Sequence, residues 1–293
     1  MDRRDLLRAA AALVVVGSLP GCVGGDKTMA LERLRLGGGE PGSTFSKLAR
    51  ALGRELRAED VVAAVTIVPS DGSRGNLDLL ARGDVVIAPA LTVVTRAADA
   101  DLVALARLYE PALQCLVRDT SSIRDIRELA GRPVAIGPAG SDSATTAQLV
   151  LEAIGVTPAV RPALRRESAG DRAIALAGGA VAAIASFRPL DLGDLPQTYP
   201  MLAGDGLRVT QLPDDFYGTQ GTTTLGSSCL LLARRDTDAE LVETIVRTLV
   251  ERGSQMVPQP ANGLQYFTPA SLFDTAPFDL HPAAAATYRD LHG

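Results

Sequence analysis

Two glycine-rich runs, each leading into a stretch with helical spacing, hold the residues best suited to chemistry in this 293-residue chain. The first is Gly38-Gly39-Glu40-Pro41-Gly42-Ser43-Thr44-Phe45 and the second is Gly137-Pro138-Ala139-Gly140-Ser141-Asp142-Ser143. Glycines let backbone amides approach an anion, and the N–H groups and dipole at a helix start favour a carboxylate there. Gly39, Gly42, Ser43, Thr44 and Phe45 in the first run, and Gly140, Ser141 and Ser143 in the second, are therefore candidate ligand contacts. The same hydroxyls also suit plain helix N-capping. Between the runs, the turn Ser70 to Leu77 offers Ser73 and Asn76, either to a ligand or to local backbone. Arg74, Arg118 and Arg188 are candidates for a bidentate carboxylate clamp, and Arg188 joins the candidate site. Asp142 opposes contact with an anion unless it points away.

This is the chemistry of capture. Ser141, Asp142 and His281 are the residue types of a catalytic triad, but Ser141 lacks a Gly-x-Ser-x-Gly elbow and His281 precedes a proline. The chain has two histidines and neither a CxxC nor a Cys/His cluster. No enzyme activity, metal or cofactor is expected.

Strands and helices must present these loops. Leu34 to Leu36 reads as a strand ending in glycines, Thr44 to Ala58 as a helix, Ala63 to Val68 as a strand, Asn76 to Ala81 as a helix and Val85 to Ala88 as a strand. A second cycle follows: strand Leu113 to Arg118, helix Ile126 to Ala130, strand Val134 to Ile136, glycine loop, helix Ser143 to Ile154. Asp171 to Ala177 reads as helix, Val181 to Ala185 as a buried run and Pro189 to Gly221 mostly as loop. Cys229 to Ala233 is a return strand, followed by the helix Ala239 to Met256. Strand, glycine turn, helix units imply parallel sheets covered by helices. An inserted second unit implies two lobes, 33–112 plus 230–293 and 113–229, with a ligand cleft between them.

Composition narrows the partners. A net charge of −5 argues against nucleic acid, whose phosphates call for a basic surface. Trp is absent and aromatics are 4%, which disfavours a base-stacking platform or an aromatic sugar groove. The first 21 residues have a charged start and an apolar run, Ala9 to Val16, too short to span a bilayer. Leu19-Pro20-Gly21-Cys22 then resembles a bacterial lipobox, so residues 1–21 are expected to be a lipoprotein signal peptide, Cys22 the lipidated residue and 22–32 a tether. Arg3-Arg4 leaves twin-arginine export open beside the general route. The expected location is outside the cytoplasm, on a membrane through a lipid anchor. Cys115 and Cys229 could pair as a disulfide in that oxidising compartment, or stay as buried thiols in their apolar runs.

Several segments in order resemble a known family. Leu108-Tyr109-Glu110-Pro111 leading into Gln114 to Arg118, the run Gly131 to Ser141, and the tail Leu280-His281-Pro282 with Tyr288-Arg289 are similar to the TAXI solute-binding proteins, which serve tripartite ATP-independent periplasmic (TRAP) transporters. The resemblance covers about Arg33 to Gly293. It implies an α/β, two-lobed periplasmic-binding-protein type II fold with hinge strands and an interlobe cleft, a small organic anion such as a dicarboxylate or amino acid as ligand, and a TRAP-type membrane permease as partner. An ABC-type uptake lipoprotein and a regulatory binding module keep the same fold with a different partner. The chain departs from the family where Phe45 and Ser46 replace the usual tyrosines and where Pro89-Ala90 replaces a polar residue. These departures predict a more apolar cleft.

Overall fold

The structure, a computed structural model, describes residues 31–97, 101–161, 173–177, 187–212, 214, 220–257 and 265–292. The expected signal peptide, Cys22, most of the tether and the run Val181 to Ala185 lie outside the described residues.

The strands in chain order are β1 (Leu31–Gly39), β2 (Val62–Pro69), β3 (Ile87–Leu91), β4 (Leu102–Glu110), β5 (Ala112–Arg118), β6 (Pro133–Ala135), β7 (Ala159–Arg161), β8 (Ala173–Ala177), β9 (Phe187–Pro189), β10 (Leu207–Gln211), β11 (Thr223–Ser227), β12 (Cys229–Arg234) and β13 (Gln265–Tyr266). The helices are α1 (Thr44–Ala58), α2 (Ser73–Ala81), α3 (Asp142–Ala153), α4 (Leu195–Thr198), α5 (Met201–Gly204), α6 (Ala239–Met256) and α7 (Pro282–His292). They form two lobes. One sheet runs β13-β4-β12-β3-β1-β2, and the other runs β10-β11-β5-β8-β6-β7 with β9 paired to β5. The chain passes between sheets twice, from β4 to β5 through Pro111 and from β11 to β12 through Ser228.

Both sheets are mixed rather than parallel. β1, β2 and β3 are parallel, as are β6, β7 and β8, but β12 and β5 run antiparallel to their neighbours. The reason is connectivity, since a strand that enters or leaves a sheet at the crossing needs no helical crossover and is free to run the other way. All residues of β3, and all of β4 except Ala106's neighbour Arg107, are buried, as expected of central strands covered on both faces.

α1 illustrates how local sequence builds an element. Ser43 caps it by accepting the N–H of Ser46, and Phe45, Leu48, Ala49, Leu52 and Leu56 recur at helical spacing on its buried face. Each such leucine contributes about 1.5–3 kcal/mol of burial. The helix stops at Glu59, and Asp60 follows with φ of +57°.

Two stretches differ from their sequence patterns. Residues 173–177 form a strand, not a helix, because they pair on one side with β5 and on the other with β6, and two ladders outweigh a local helical preference. The stretch from Pro189 to Gly221 holds α4, α5 and β10 as well as loop, with β10 completing its sheet by pairing along β11. The expected tether also ends earlier, since β1 starts at Leu31 and pairs with Val62.

Candidate functional site

The interlobe cleft holds a cavity of about 370 Å³ that opens to solvent. Its first wall is the loop into α1 and the first turn of that helix: Glu40, Gly42, Ser43, Thr44, Phe45 and Lys47. Asp71 and Gly72, which lead into α2, form a second wall. Leu91, Tyr109 and Pro111 make the floor, where the Phe45 and Tyr109 rings meet at 6.2 Å. Ser141, Asp142 and Ser143, at the start of α3, face them from the other lobe.

Three helices therefore begin at the cleft, and their first N–H groups have no carbonyl a turn earlier within the helix to bond. Each is treated differently. Ser43 caps α1, and Ser141 caps α3 by accepting the N–H of Ala144 at 3.2 Å while donating to the carbonyl of Pro138 at 2.7 Å. α2 has Gly72 at its N-cap position and no side-chain cap from its own segment. Replacing Ser141 with Ala is expected to cost about 1 kcal/mol of stability through the lost cap, read by urea unfolding. An unchanged unfolding free energy would remove the capping role.

Asn76 explains how the second wall is held. β1 pairs with β3 only at Leu36 and Ile87, so further along β3 the carbonyl of Pro89 needs another donor. Asn76 Nδ2 supplies it at 2.8 Å, while Asn76 Oδ1 accepts the Ser70 hydroxyl at 2.8 Å. Ser73 is also fully buried, and its Oγ accepts the N–H of Leu91 at 2.9 Å. These two residues shape the turn that carries Asp71 and Gly72.

The candidate residues named from sequence thus divide. Gly42, Ser43, Thr44, Phe45, Ser141 and Ser143 line the cleft. Gly39 packs against the Phe45 side chain, and Gly140 faces Asp71. Ser73 and Asn76 support the wall from behind it. Arg188 is elsewhere, on β9, where its Nη2 donates to the carbonyls of Ser121 and Ile123. Arg118 lies over the Phe187 ring at 5.6 Å, and neither Arg118 nor the exposed Arg74 lines the cleft. Arg118 and Arg188 instead sit on the paired strands β5 and β9, outside the lining of the cleft.

Lining residues missed by the glycine-loop argument are Glu40, Lys47, Asp71, Gly72, Leu91, Tyr109, Pro111 and Asp142. Glu40, Asp71 and Asp142 lie inside the motifs themselves, so motif membership was the available signal. With Lys47 they bring four charged side chains to the cleft, which is not the apolar site expected. Burial pushes the Asp142 carboxyl up to about 6; the bonds from Ser73 oppose this, and Glu40 and Asp71 add to it. Burial also raises Tyr109, with Cys229 and Asp142 reinforcing the shift.

Cys115 and Cys229 are free, buried thiols, so the disulfide alternative is set aside. Burial pushes the Cys115 thiol up to about 12 and also raises Cys229, which keeps both protonated and unreactive. Nor do Ser141, Asp142 and His281 assemble. Asp142 binds Ser73, Ser141 binds Pro138 and Ala144, and His281 Nδ1 accepts the N–H of Ala283 at the start of α7. Among the described residues no cluster of three acidic, His or Cys side chains could hold a metal, and no helix is long and apolar enough to cross a membrane.

Residues 36–188, just over half of the chain, match the NMT1-like family. Among solved structures, XAC2383 from Xanthomonas citri bound to ATP superposes with a TM-score of 0.53 at 15% identity, covering 89% of this chain and 98% of that one. A TctC solute-binding protein from Polaromonas gives 0.52 at 16% identity, covering 89% and 95%. The periplasmic binding protein BugD gives 0.51 at 13% identity, covering 88% and 94%. At these identities the likeness establishes the fold, a two-lobed periplasmic-binding-protein type II architecture. No curated protein matches the chain.

Proposed function

The chain belongs to the NMT1-like family, and from that premise we propose that it is an extracytoplasmic solute-binding lipoprotein that captures a small organic acid between its lobes. The observation that carries this reading is the cleft itself, in which the capped start of α1 with Lys47 faces the capped start of α3 across a cavity of ligand size. A carboxylate at α1 meets the helix dipole, the Thr44 hydroxyl and the Lys47 ammonium. The hydrocarbon body rests on Leu91, Phe45 and Tyr109. The residues that enclose it come from both lobes, so binding favours the closed arrangement.

The bilayer anchor in this proposal is Cys22, and the partner is a TRAP-type permease, a reading supported by the TAXI resemblance of the segments around Tyr109, Gly137 and His281. The neighbouring genes test the partner. A multi-span TRAP permease agrees with it, while an ATPase gene or a sensor kinase gene would replace it with uptake by an ABC system or with sensing.

Binding itself is tested by thermal shift on the purified chain from residue 23 onward, against small carboxylates, amino acids and uncharged compounds. Small acids are expected to raise the melting temperature, and Thr44→Val or Ser143→Ala to weaken binding by about 1 kcal/mol for each neutral hydrogen bond lost. A melting temperature raised by uncharged compounds alone would overturn the acid.

A further inference from the structure

The N-terminus of α2 is closed from across the cleft. Asp142 belongs to α3, in the lobe built on β5 to β11, yet its Oδ1 accepts the N–H of Ser73 in α2 at 2.9 Å. Gly72, at the N-cap position of α2, has φ of +129° and brings no cap of its own. A Cβ there would lie 3.1 Å from Asp142 Oδ1. Glycine therefore both adopts this backbone and leaves room for the arriving carboxyl. Asp142 is an N-cap supplied by the opposite lobe.

That geometry has a consequence for the ligand. Of the three helix starts at the cleft, the one without a local cap has its carboxylate seat filled by the protein. Glu40 ahead of α1, Asp71 ahead of α2 and the Tyr109 ring on β4 stand with Asp142, whereas Lys47 on α1 is the basic residue among those that line the cleft. A second ligand carboxylate would meet three acidic side chains in a partly desolvated space, and an ammonium would find acceptors there.

We propose that Asp142 is the specificity-determining residue of the cleft: it holds the α2 terminus against a ligand's acid group and selects a monocarboxylate bearing a protonated amine over a dicarboxylate. The inference rests on the organic-acid reading above and narrows it. The ligand carboxylate takes the α1 terminus beside Lys47, and its ammonium turns toward Asp142, Asp71 and Glu40.

The Asp142 carboxyl also makes stability sensitive to pH. Its value of about 6 lies above the ordinary 3.8, so between these limits the folded structure holds a proton that an exposed aspartate releases. Acid therefore favours the folded structure through this group, and the benefit is lost as pH rises through about 6. Asn keeps the acceptor for Ser73 without the charge.

Two measurements on the purified chain test the inference. Without ligand, Asp142→Asn is expected to melt above the wild type at pH 8, with the gap narrowing as pH falls to 5. By calorimetric titration, the wild type is expected to bind 4-aminobutyrate at least tenfold more tightly than succinate, and 5-aminovalerate more tightly than glutarate. Asp142→Asn should reduce both preferences by tenfold or more. Equal binding of the paired acids by the wild type, preferences unchanged in the variant, or no pH-dependent gap in melting would each overturn the inference while leaving organic-acid capture standing. If acids of both kinds leave both proteins unbound, organic-acid capture itself falls, and the inference falls with it.

Discussion

Replacing Glu110 with Ala is expected to lower the unfolding free energy by about 3–5 kcal/mol, the usual cost of removing one partner from a buried ion pair. Glu110 ends β4, one residue before the chain crosses between lobes. Its side chain is 5% exposed and meets Arg107 Nη2 at 3.2 Å, with Arg107 only 14% exposed. Arg208, from β10 in the other lobe, also reaches Glu110, and both arginines approach Asp274. Gly226 on β11 makes this possible, because a Cβ there would lie 2.5 Å from Glu110 Oε1.

The loss of Glu110 leaves Arg107, 14% exposed, with the half-exposed Asp274 as its remaining ion-pair partner, which places the cost at the lower end of that range. Arg208 is 42% exposed and solvent reclaims it, so its share of the cost is small. Glu110→Gln, which keeps the shape and removes the charge, should fall between the wild type and Ala. The measurement is urea unfolding of the purified chain. A change below about 1 kcal/mol, the range of exposed pairs, would mean that the network is solvated and does not brace the crossing.

The second large effect is expected at Asn76. Asn76→Ala removes the donor to the Pro89 carbonyl and the acceptor of the Ser70 hydroxyl, in a position with no exposed surface. Leaving the carbonyl buried without a donor costs about 1–3 kcal/mol, and the cavity from the lost side chain adds to it, for a total of about 2–4 kcal/mol. The variant should also bind ligand more weakly, although Asn76 does not line the cleft, because the turn with Asp71 and Gly72 depends on it. Ser70→Ala, which leaves the Pro89 bond in place, should cost about 1 kcal/mol. If both variants cost the same, the Pro89 bond is not what holds the turn.

These residues show how differently parts of the site could be read. α1 and α6 stand out in the sequence because each buries a continuous apolar stripe at helical spacing and begins at a residue able to cap it, Ser43 and Asp238. The glycine loops could be read too, since a chain that turns from strand into helix at Gly38–Ser43 and Gly137–Ser141 needs those residue types locally. β8 could not, because five residues carry little local preference and their state is decided by the strands on either side. The same holds for Arg188, whose charge marked it as a clamp while the pairing of β9 directs it to the carbonyls of Ser121 and Ile123.

From its residues alone the chain is an α/β protein with two glycine-loop cycles, a return strand and helix starts suited to an acid, since each of these depends on contacts within a few residues along the chain. Only the tertiary structure decided which of those helix starts remain available. Ser73 and Asp142 are 69 positions apart, and no local rule relates them. Their hydrogen bond exists because the two sheets meet, and it turns a residue that looked out of place beside an anion into the cap of a helix on the opposite lobe.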